Sequence, residues 1–438
     1  MKLFIVLLTG AFMLATGTSD VFAKKKEKVQ TEAKSDTVRT ASKKRNTQYP
    51  RLFKNKRVVT KKGLITIHKI DDKLYFEFPK SLLGREFLMG SSISATSDNT
   101  SGLVGQTMTT PLHIRFAIQE DQVYMQNVTP VSRMDVYSNQ SDISKAVAKS
   151  NITPDMESFK IAAYNMDSTA VVFEVTKFFL ADNKRLPLFD QNSSSLEDEK
   201  YGQLELKAVL KKNLSSIRNF YVFDDNLEIN LDMSFYQSLL ASKKEVRGGN
   251  VRVKAVYSML LLPEETMVWR LGDPRLGYTF TKKQKISTEK DGTAFSYLQH
   301  KWNLLPADEE AYRRGDLVAP RKPVVFYIDS DFPEAWKKAI KEGVNWWNEA
   351  FKMAGFKDAV QTADFPANDT TFYAGNLKYS CIRYVPVNLS KTLYALDNQK
   401  DAFPETTLLI LIYSLSTSRM SLLAVLLFFS HLRNPVSP

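Results

Sequence analysis

Alternation of apolar and polar residues dominates the middle of the chain. It predicts β-strands, because successive side chains of a strand point to opposite faces. Two pairs of such segments flank short polar turns, so each pair predicts a hairpin. The hairpins are residues 64–70 with 74–78 around the turn 71–73, and residues 113–118 with 123–125 around the turn 120–121.

The cleanest alternation runs over residues 227–235, where Leu227 and Ile229 share one face while Glu228 and Asn230 share the other. Strands with one apolar and one polar face predict an antiparallel, sandwich-like or rolled sheet that has one face in water. Further strands are predicted at 170–175 and 251–257, and short helical patterns at 156–163 and 204–212.

The pattern changes near residue 323. Residues 323–328 (PVVFYI) predict a buried strand that leads directly into a helix. Asp331 is the predicted N-cap, Glu334 completes a capping box three residues later, and Gly355 is predicted to lie just beyond the end of the helix. A strand followed by a capped helix is typical of the start of an α/β domain.

This helix carries an apolar stripe at steps of mostly three and four residues, formed by Trp336, Ile340, Gly343 and Trp347 among others. The spacing predicts that one face packs on a sheet. Trp346 and Trp347 fit either core packing or an aromatic platform for a ligand. Helical spacing favours core packing.

Charged sequence separates the two regions. Residues 306–315 (PADEEAYRRG) predict a short surface helix closed by its final glycine, and residues 301–320 are the predicted linker. Glu309 with Glu310, and the run 197–199 (EDE), are acidic pairs of the kind used in acid–base catalysis. Both lie in charged, polar stretches, so solvated faces are the simpler interpretation.

The N-terminus predicts export. Lys2 precedes an apolar run over residues 3–14, and residues 21–23 (VFA) form an A-x-A-like cleavage site, so residues 1–23 are a predicted secretory signal. An uncleaved anchor is the alternative, but the run is shorter than the ~20 residues that a membrane-spanning helix needs. The expected location is periplasmic, outer-membrane-associated or extracellular.

Charge and cysteine content bear on whether the chain binds nucleic acid and whether it forms disulfides. Part of the net charge of +12 lies in a Lys-rich stretch with few large apolar residues, so residues 24–48 are a predicted flexible leader. No aromatic residues are interleaved there to stack on bases, and no nucleic-acid partner is predicted. The sole cysteine, Cys381, excludes an internal disulfide framework, and its apolar strand predicts a buried structural thiol.

Four segments occur together in a characteristic order: 270–278 (RLGDPRLGY), 323–329 (PVVFYID), 343–351 (GVNWWNEAF) and 379–384 (YSCIRY). Together they resemble a family of secreted bacterial zinc-dependent metalloproteases, which carries two domains of unknown function ahead of its catalytic domain. Residues 64–87 resemble the first of these domains, and residues 103–297 the second. The resemblance implies that residues 321–387 are the first half of a zincin metallopeptidase domain.

Zincin activity needs a helix with HExxH, in which two His one turn apart hold Zn²⁺ and the Glu activates the bound water. The sequence contains no HExxH. Its four histidines are scattered, and none precedes a glutamate: His68, His113, His300 and His431. Convergence of three of them on a metal is the alternative to separate structural roles.

Other catalytic patterns are missing as well, since the sequence has no G-x-S-x-G, P-loop or G-x-G-x-x-G. No catalytic, cofactor-binding or metal-binding residue is therefore assigned. The resembled family uses zinc, but this chain is predicted to bind none and to be inactive.

The resemblance stops at Val387. An apolar run over residues 407–429 follows, long enough to cross a bilayer but with Arg419 near its middle. Three interpretations are open: a membrane anchor, a buried hairpin broken at 414–418, and a tail translated out of frame after a lesion in a protease gene. The out-of-frame tail explains the abrupt loss of pattern best.

The predicted fold class is α+β, with β-rich antiparallel N-terminal domains ahead of the first strand–helix–strand part of a zincin-like α/β domain. The predicted divisions are a signal peptide (1–23), a basic leader (24–48), a small β-hairpin domain (49–102), an antiparallel β-rich domain (103–300), a linker (301–320), an incomplete zincin-like domain (321–387) and an unmatched hydrophobic tail (388–438).

The predicted function is the N-terminal portion of a secreted zinc-dependent metallopeptidase, inactive as it stands, for which the family implies a peptide or protein substrate. The alternative is a secreted or membrane-held binding module that uses its β domains without catalysis. Residues 407–429 are a possible membrane contact in either case.

Overall fold

The computed structural model describes residues 48–98, 104–105, 109–128, 134–136, 145–146, 149–189, 196–198, 200–264, 267–268, 270–276, 280–286, 294–387, 407–414 and 421–424. All of them belong to one unit of the chain, Arg45–Pro438. The predicted signal peptide, nearly all of the leader, His431 and most of the predicted tail lie outside the described residues.

The two predicted hairpins are confirmed. β2 (Thr66–Ile70) pairs antiparallel with β3 (Lys73–Pro79), and β5 (Leu112–Gln119) pairs antiparallel with β6 (Gln122–Asn127). Asp71 occupies the first turn with a φ of 53°. Aspartate tolerates this left-handed conformation better than most residues, because its short side chain can hydrogen-bond locally.

Both hairpins belong to one sheet of 13 antiparallel strands. The other strands are β1 (Val58–Lys62), β4 (Glu86–Thr96), β8 (Asp155–Tyr164), β9 (Ala170–Glu174), β10 (Leu196–Asp198), β11 (Gly202–Leu210), β12 (Ser216–Val222), β13 (Asn226–Ala241) and β14 (Lys244–Leu261). The order is β1-β2-β3-β9-β8-β6-β5-β4-β14-β13-β11-β10, and β12 also pairs with β13. Strands from both sides of the predicted domain boundary at residues 102 and 103 are thus neighbours in one sheet.

Two of the predicted helices are strands. Residues 156–163 lie in β8, and residues 204–212 overlap β11. In β11 the buried side chains are Leu204, Leu206 and Ala208, which is a period of two. The helix prediction was wrong because short apolar runs fit both periods, and pairing with neighbouring strands supplies the hydrogen bonds that select the strand.

Aromatic side chains fill the inner face of this sheet. The central group is Phe76, Phe78, Phe87, Phe116 and Phe173, each at most 1% exposed, with ring centroids 4.8–6.3 Å apart. Burying one such side chain contributes roughly 1.5–3 kcal/mol. The tilted and edge-to-face contacts also suit the ring quadrupoles. The core of the chain therefore lies inside this sheet.

The sheet curls so that its first strands meet β12. The Leu64 N–H donates to the Phe223 carbonyl oxygen (2.6 Å), and Lys69 Nζ donates to the Ile217 carbonyl oxygen (2.7 Å). Gly63 is required at this contact, because a Cβ there would lie 2.6 Å from the Phe223 carbonyl oxygen. Of the two sheet forms predicted, the curl fits the rolled one.

Two smaller sheets follow. One has the order β16-β15-β7 and is formed by β7 (Met134–Val136), β15 (Phe280–Ile286) and β16 (Ala294–Gln299). The other has the order β18-β17-β19-β20-β21 and is formed by β17 (Val324–Ile328), β18 (Val360–Asp364), β19 (Ser380–Val387), β20 (Thr407–Ser414) and β21 (Ser421–Ala424). β17 is parallel to β18 and β19, whereas β19, β20 and β21 pair antiparallel.

Helices are few in the part of the chain that the structure describes. Those named below are α1 (48–53), α2 (Thr176–Phe179), α3 (Glu309–Arg314) and α4 (Glu334–Met353), with 3₁₀ turns at Lys80–Leu82, Lys212–Leu214 and Pro274–Leu276. The predicted surface helix is confirmed as α3, which Asp308 caps by accepting from the Ala311 N–H (2.9 Å) and which Gly315 ends with a φ of 91°.

The ends of α4 were predicted only in part. Gly355 follows its C-terminus with a φ of 86°, as expected. The predicted Asp331 cap is wrong: α4 begins at Glu334 with Pro333 at the N-cap position, and the Asp331 N–H instead donates to Asp329 Oδ1 (3.2 Å). The ring of Pro333 already fixes φ at −55°, so the chain turns into the helix without a side-chain cap.

The prediction that Trp346 and Trp347 are core residues is also wrong, because they are 76% and 64% exposed. The stripe of α4 that contacts the sheet steps by four residues from Ile340 through Val344 to Asn348. Each four-residue step turns about 40° around the helix axis. Trp346 therefore lies opposite the stripe, and Trp347 lies at its border.

Within the described residues, no helix is long and apolar enough to cross a membrane. Residues 407–414 and 421–424 of the apolar run form β20 and β21, a strand pair of the kind expected from the hairpin interpretation of residues 407–429. The rest of that run, including Arg419, lies outside the described residues. The anchor and out-of-frame interpretations stay predictions.

Candidate functional site

The histidines are held in separate places by separate partners. His68 is buried in β2, with Nε2 2.9 Å from Glu77 Oε2 and Nδ1 2.8 Å from Thr60 Oγ1. Burial opposes ionisation of Glu77, but hydrogen bonds from His68 and Tyr49 outweigh it and lower the pKa of that carboxyl. Glu77 thus stays charged and fixes the imidazole in place.

The other two described histidines also contact residues on nearby strands. His113 Nε2 lies 2.6 Å from Glu86 Oε2 on the neighbouring strand β4, and His300 Nε2 lies 2.9 Å from Thr281 Oγ1 of β15. Among the described residues, no group of three or more His, Cys, Asp and Glu is placed to hold a metal ion. The alternative of three converging imidazoles therefore finds no support.

Cys381 lies in β19 and is fully buried, as predicted. Burial raises the pKa of its thiol to about 12. The thiolate is the nucleophilic form of cysteine, so the sulfur of Cys381 is unreactive at neutral pH.

The acidic pair Glu309 and Glu310 opens α3 on an exposed face, as predicted. Glu309 forms surface ion pairs with Arg321 (2.7 Å) and Arg313 (3.4 Å). Residues 197 and 198 of the other acidic run lie in β10, and residue 199 is outside the described residues. Glu309 and Glu310 therefore form surface ion pairs or face water and assemble no acid–base pair with each other, and the side chains of residues 197–199 lie outside the described residues.

Polar chemistry concentrates instead where the outer face of the large sheet meets the segment before β19. Asn226 of β13 is fully buried there. Its Nδ2 donates to Asn376 Oδ1 (2.9 Å), and its Oδ1 accepts from the Leu377 N–H (3.4 Å). We call this contact region, formed by residues 226–230 and 373–377, the junction.

Glu228 is the second buried polar residue of the junction and is only 4% exposed. Its Oε1 accepts from the hydroxyl of Tyr373 (2.6 Å) and from Nδ2 of Asn230 (2.7 Å). Burial raises the pKa of the Glu228 carboxyl, although these bonds and the charge of Arg383 oppose the shift. The pKa of Tyr373 is raised as well, chiefly by its burial and then by the nearby carboxylate.

Close packing holds Tyr373 and Glu228 in position. The Tyr373 ring stacks on Tyr221, with centroids 4.1 Å apart and planes 23° from parallel. Gly375 leaves no room for a side chain, because a Cβ there would collide with Glu228 Oε2. The junction is therefore specific in shape as well as in hydrogen bonding.

A cavity of about 310 Å³ lies beside the junction, lined in part by the hydroxyls of Ser92, Ser94 and Ser258 and by Lys254 and Arg383. Arg383 Nε is buried and has no hydrogen-bond partner in the part of the chain that the structure describes, with Asp329 Oδ2 3.9 Å away. Because the pKa values of both Glu228 and Tyr373 are raised, neither group of the junction is an activated nucleophile.

A larger groove, of about 990 Å³, lies at β8, which is separated from β13 by four strands of the sheet. One wall is the strand edge over residues 157–162, and the other includes Lys177 and Phe178 of α2 and residues 181–185. We call this feature the β8 groove. It is about three times as large as the cavity beside the junction.

The alternation over residues 227–235 predicted that the Glu228 side chain is exposed to water, and that prediction was wrong. Alternation along β13 correctly assigns it to the outer face, but the 373–377 segment covers that end of the strand. Nothing within residues 226–235 distinguishes a covered outer face from an exposed one. A signal that could have been used is the run of mostly small residues at 90–94 (GSSIS), several of which line the cavity beside Tyr373.

Two parts of the chain match known protein families. Residues 47–96 match the family described as Domain of unknown function (DUF5118), and residues 105–307 match Domain of unknown function (DUF5117). No curated protein and no solved structure matches the chain. The two matches include all 13 strands of the large sheet, whereas β17, α4, β18 and β19 lie outside both.

Proposed function

We propose that this chain is the N-terminal part of an exported zinc-dependent metallopeptidase and has no peptidase activity by itself. The observation that carries the proposal is the arrangement of β17, α4, β18 and β19. The resemblance to zincin peptidases implies a strand, a long helix and a further strand for residues 321–387, and the order β17, α4 and β19 supports it, with β18 as an additional parallel strand.

The β-rich region then acts as a support for the peptidase fold. The junction supplies the specific contact: Asn226 and Glu228 are buried against Asn376 and Tyr373 instead of facing water. Buried polar groups of this kind favour one geometry, because any other leaves them without partners.

Zinc enters this proposal only through the family. Residues fit for a zinc site would be three or four nitrogen, sulfur or carboxylate ligands at one point. The described histidines fail this test, since His68, His113 and His300 are bonded to different residues on different strands. A peptide substrate is proposed for the family rather than for these residues.

Export follows from the signal predicted over residues 1–23, and we propose a periplasmic, outer-membrane-associated or extracellular location, with membrane contact through residues 407–429 as a further possibility. Fusing residues 1–48 to a periplasmic reporter enzyme tests export. Reporter activity outside the cytoplasm is the expected result, and its loss on replacing Leu7 and Leu8 with Arg is the control.

Metal content and turnover test the catalytic part of the proposal. The purified chain is expected to carry far less than one zinc per molecule by atomic emission, and to leave casein uncut with or without a chelator. Stoichiometric zinc together with casein cleavage that the chelator abolishes would contradict it.

A second candidate function is an exported binding module without catalysis. The specific observation that favours it is the β8 groove, which is large, concave and distant in the sheet order from the junction. Metal-independent affinity of the purified chain for a peptide or glycan is the expected property of such a module.

A further inference from the structure

β8 is paired on one side only over most of its length. Residues 155–160 pair with β6, whereas pairing with β9 begins at Ile161 and continues to Tyr164. β9 ends at Glu174, and the chain then turns into α2. The edge of β8 over residues 155–159 therefore has no strand beside it in the part of the chain that the structure describes.

The register determines which backbone groups this edge presents. The Ile161 N–H donates to the Asp121 carbonyl oxygen on the β6 side (3.0 Å). Residues two apart on a strand direct their backbone groups to the same side. Phe159 and Glu157 thus face β6, and the N–H and C=O of Ser158 point into the β8 groove, whereas Lys160 lies beside the end of β9.

The groove has the length and floor that an extended peptide needs. The part of β8 that lines it ahead of the pairing with β9, residues 157–160, extends about 14 Å at ~3.4 Å per residue. Phe159 and Phe178 are nearly buried in the floor, where side chains of every second ligand residue would rest. A peptide strand placed here would continue the ladder from β6 through β8.

Charge selects among peptides. Four cationic side chains line the groove: Lys160, Lys177, Lys184 and Arg185. Three carboxylates line it as well, but Glu174 already accepts from Lys73 Nζ (2.9 Å), leaving Glu157 and Asp182. The excess of positive charge favours an acidic ligand.

We propose that the β8 groove binds an extended acidic peptide, which adds to the edge of β8 as a further strand. This inference rests on the binding-module function and names its ligand class and site. Main-chain hydrogen bonds to Ser158 supply affinity independent of sequence, while the cations supply the preference for acidic side chains. An unprotected strand edge is otherwise a hazard, because it invites pairing with other chains.

Fluorescence anisotropy with a fluorescein-labelled octapeptide of alternating Val and Glu tests the proposal on the full chain. We expect saturable binding, and binding that is at least about threefold weaker for the same peptide with Lys in place of Glu. Equal binding of both peptides would overturn the charge preference. Absence of binding of either peptide would overturn the site.

Two substitutions at one position separate strand addition from other contacts. Ser158→Pro removes the N–H that points into the groove and places a ring against an incoming strand, so affinity should fall at least about tenfold. Ser158→Ala keeps the N–H and should stay within about twofold of the unchanged chain. Matching melting temperatures of the two variants establish that both are folded.

The results for Ser158→Pro and Ser158→Ala distinguish three possible occupancies of the β8 edge. Equal peptide affinity in both variants overturns strand addition at β8 and leaves the binding-module function standing. A dimer in light scattering that Ser158→Pro dissociates, with no peptide binding, overturns the peptide as occupant in favour of a second copy of the chain. The zinc and casein measurements are independent of all these results, so failure of the peptidase proposal is distinguishable.

A charge reversal sharpens the ligand preference. Lys177→Glu with Lys184→Glu should weaken binding of the acidic peptide at least about threefold, and more at low salt. The matched control is Lys207→Glu with Lys212→Glu, two exposed positions outside the groove. An equal effect of both pairs would mean that net charge, and not the groove, attracts the peptide.

Discussion

The 13-stranded sheet and the smaller part formed by β17, α4, β18 and β19, which we call the α/β part, differ in how much of their surface is buried. The sheet encloses a continuous aromatic core in which Phe78, Phe87 and Phe173 have no exposed surface. Within the described residues of the α/β part, Ile340 is the one buried residue of α4, and the apolar cluster that contains it has three further buried members, Ile328, Phe332 and Ile382. The sheet therefore has a large core of its own, and we expect the α/β part to depend more on its contacts with the sheet.

Many of those contacts are polar. The junction joins the α/β part to the sheet through hydrogen bonds of Asn226, Glu228, Asn376 and Tyr373. The stacking of Tyr373 on Tyr221 and a small apolar cluster of Leu88, Leu260 and Leu377 accompany them among the described residues. Apolar burial is tolerant of small shifts, but buried hydrogen bonds fail once one partner is lost. The two regions should therefore respond differently to substitution and to pH.

The largest effect is expected from Phe116→Ala. Phe116 is 1% exposed and lies 4.8 Å from the Phe78 ring, so its removal leaves a cavity and should lower the free energy of unfolding by about 3–5 kcal/mol. Guanidinium unfolding monitored by circular dichroism measures it. Trp346→Ala, at an exposed position of α4, is the matched control, with an expected change within about 0.5 kcal/mol. Similar losses in both variants would remove the contrast between the two regions.

A smaller and more local effect is expected from Asn226→Ala. The substitution leaves the Asn376 side chain and the Leu377 N–H without a buried partner, so the α/β part should open more easily by about 1–3 kcal/mol. Amide hydrogen exchange should rise across β17 and β19 while β13 stays protected. Asn250→Ala, at an exposed position of β14, is the control. Faster exchange across the whole sheet would show that the two regions unfold as one.

The smallest effect is expected from pH. The pKa of Glu228 is raised above its ordinary value of 4.5, so the folded state holds a proton that the unfolded state releases first. Protonation of Glu228 therefore stabilises the folded state relative to the unfolded state. This contribution to stability is complete below pH 4.5 and is lost as pH rises through the raised pKa. Protection of β19 from hydrogen exchange should thus decrease with pH over this interval.

The matched variant is Glu228→Gln, which stays neutral at every pH and still accepts from the Tyr373 hydroxyl. Protection of β19 in this variant should change less with pH than in the unchanged chain. A decline of equal size in both variants would assign the pH response to a group other than Glu228. Glu77 cannot be that group, because its lowered pKa makes its contribution to stability change with pH in the opposite direction.

Much of the large sheet could be predicted from local pattern. The hairpins at 64–78 and 113–125 and the strands β9, β13 and β14 follow from alternation, because a strand with one buried face must repeat every two residues. The helices predicted at 156–163 and 204–212 failed where short apolar runs fit either period. There the hydrogen bonds of neighbouring strands decided the outcome.

The candidate sites were beyond local pattern for a different reason. Glu228 and Asn226 are polar residues at outer-face positions, and only a segment almost 150 residues later buries them. The open edge of β8 arises because β9 ends early and the chain turns into α2. Both features are properties of pairs of segments, so no single segment announces them.

By itself the sequence determined the strands of the sheet, the exposed helix α3, the glycine that ends α4 and the burial of Cys381, since each depends on side chains within a few residues of one another. The tertiary structure alone decided that Trp346 is exposed, that Glu228 is buried and that one edge of β8 is open. Burial and pairing are set by which distant segments meet, and chain contacts of that range leave no periodic trace in the residues that make them.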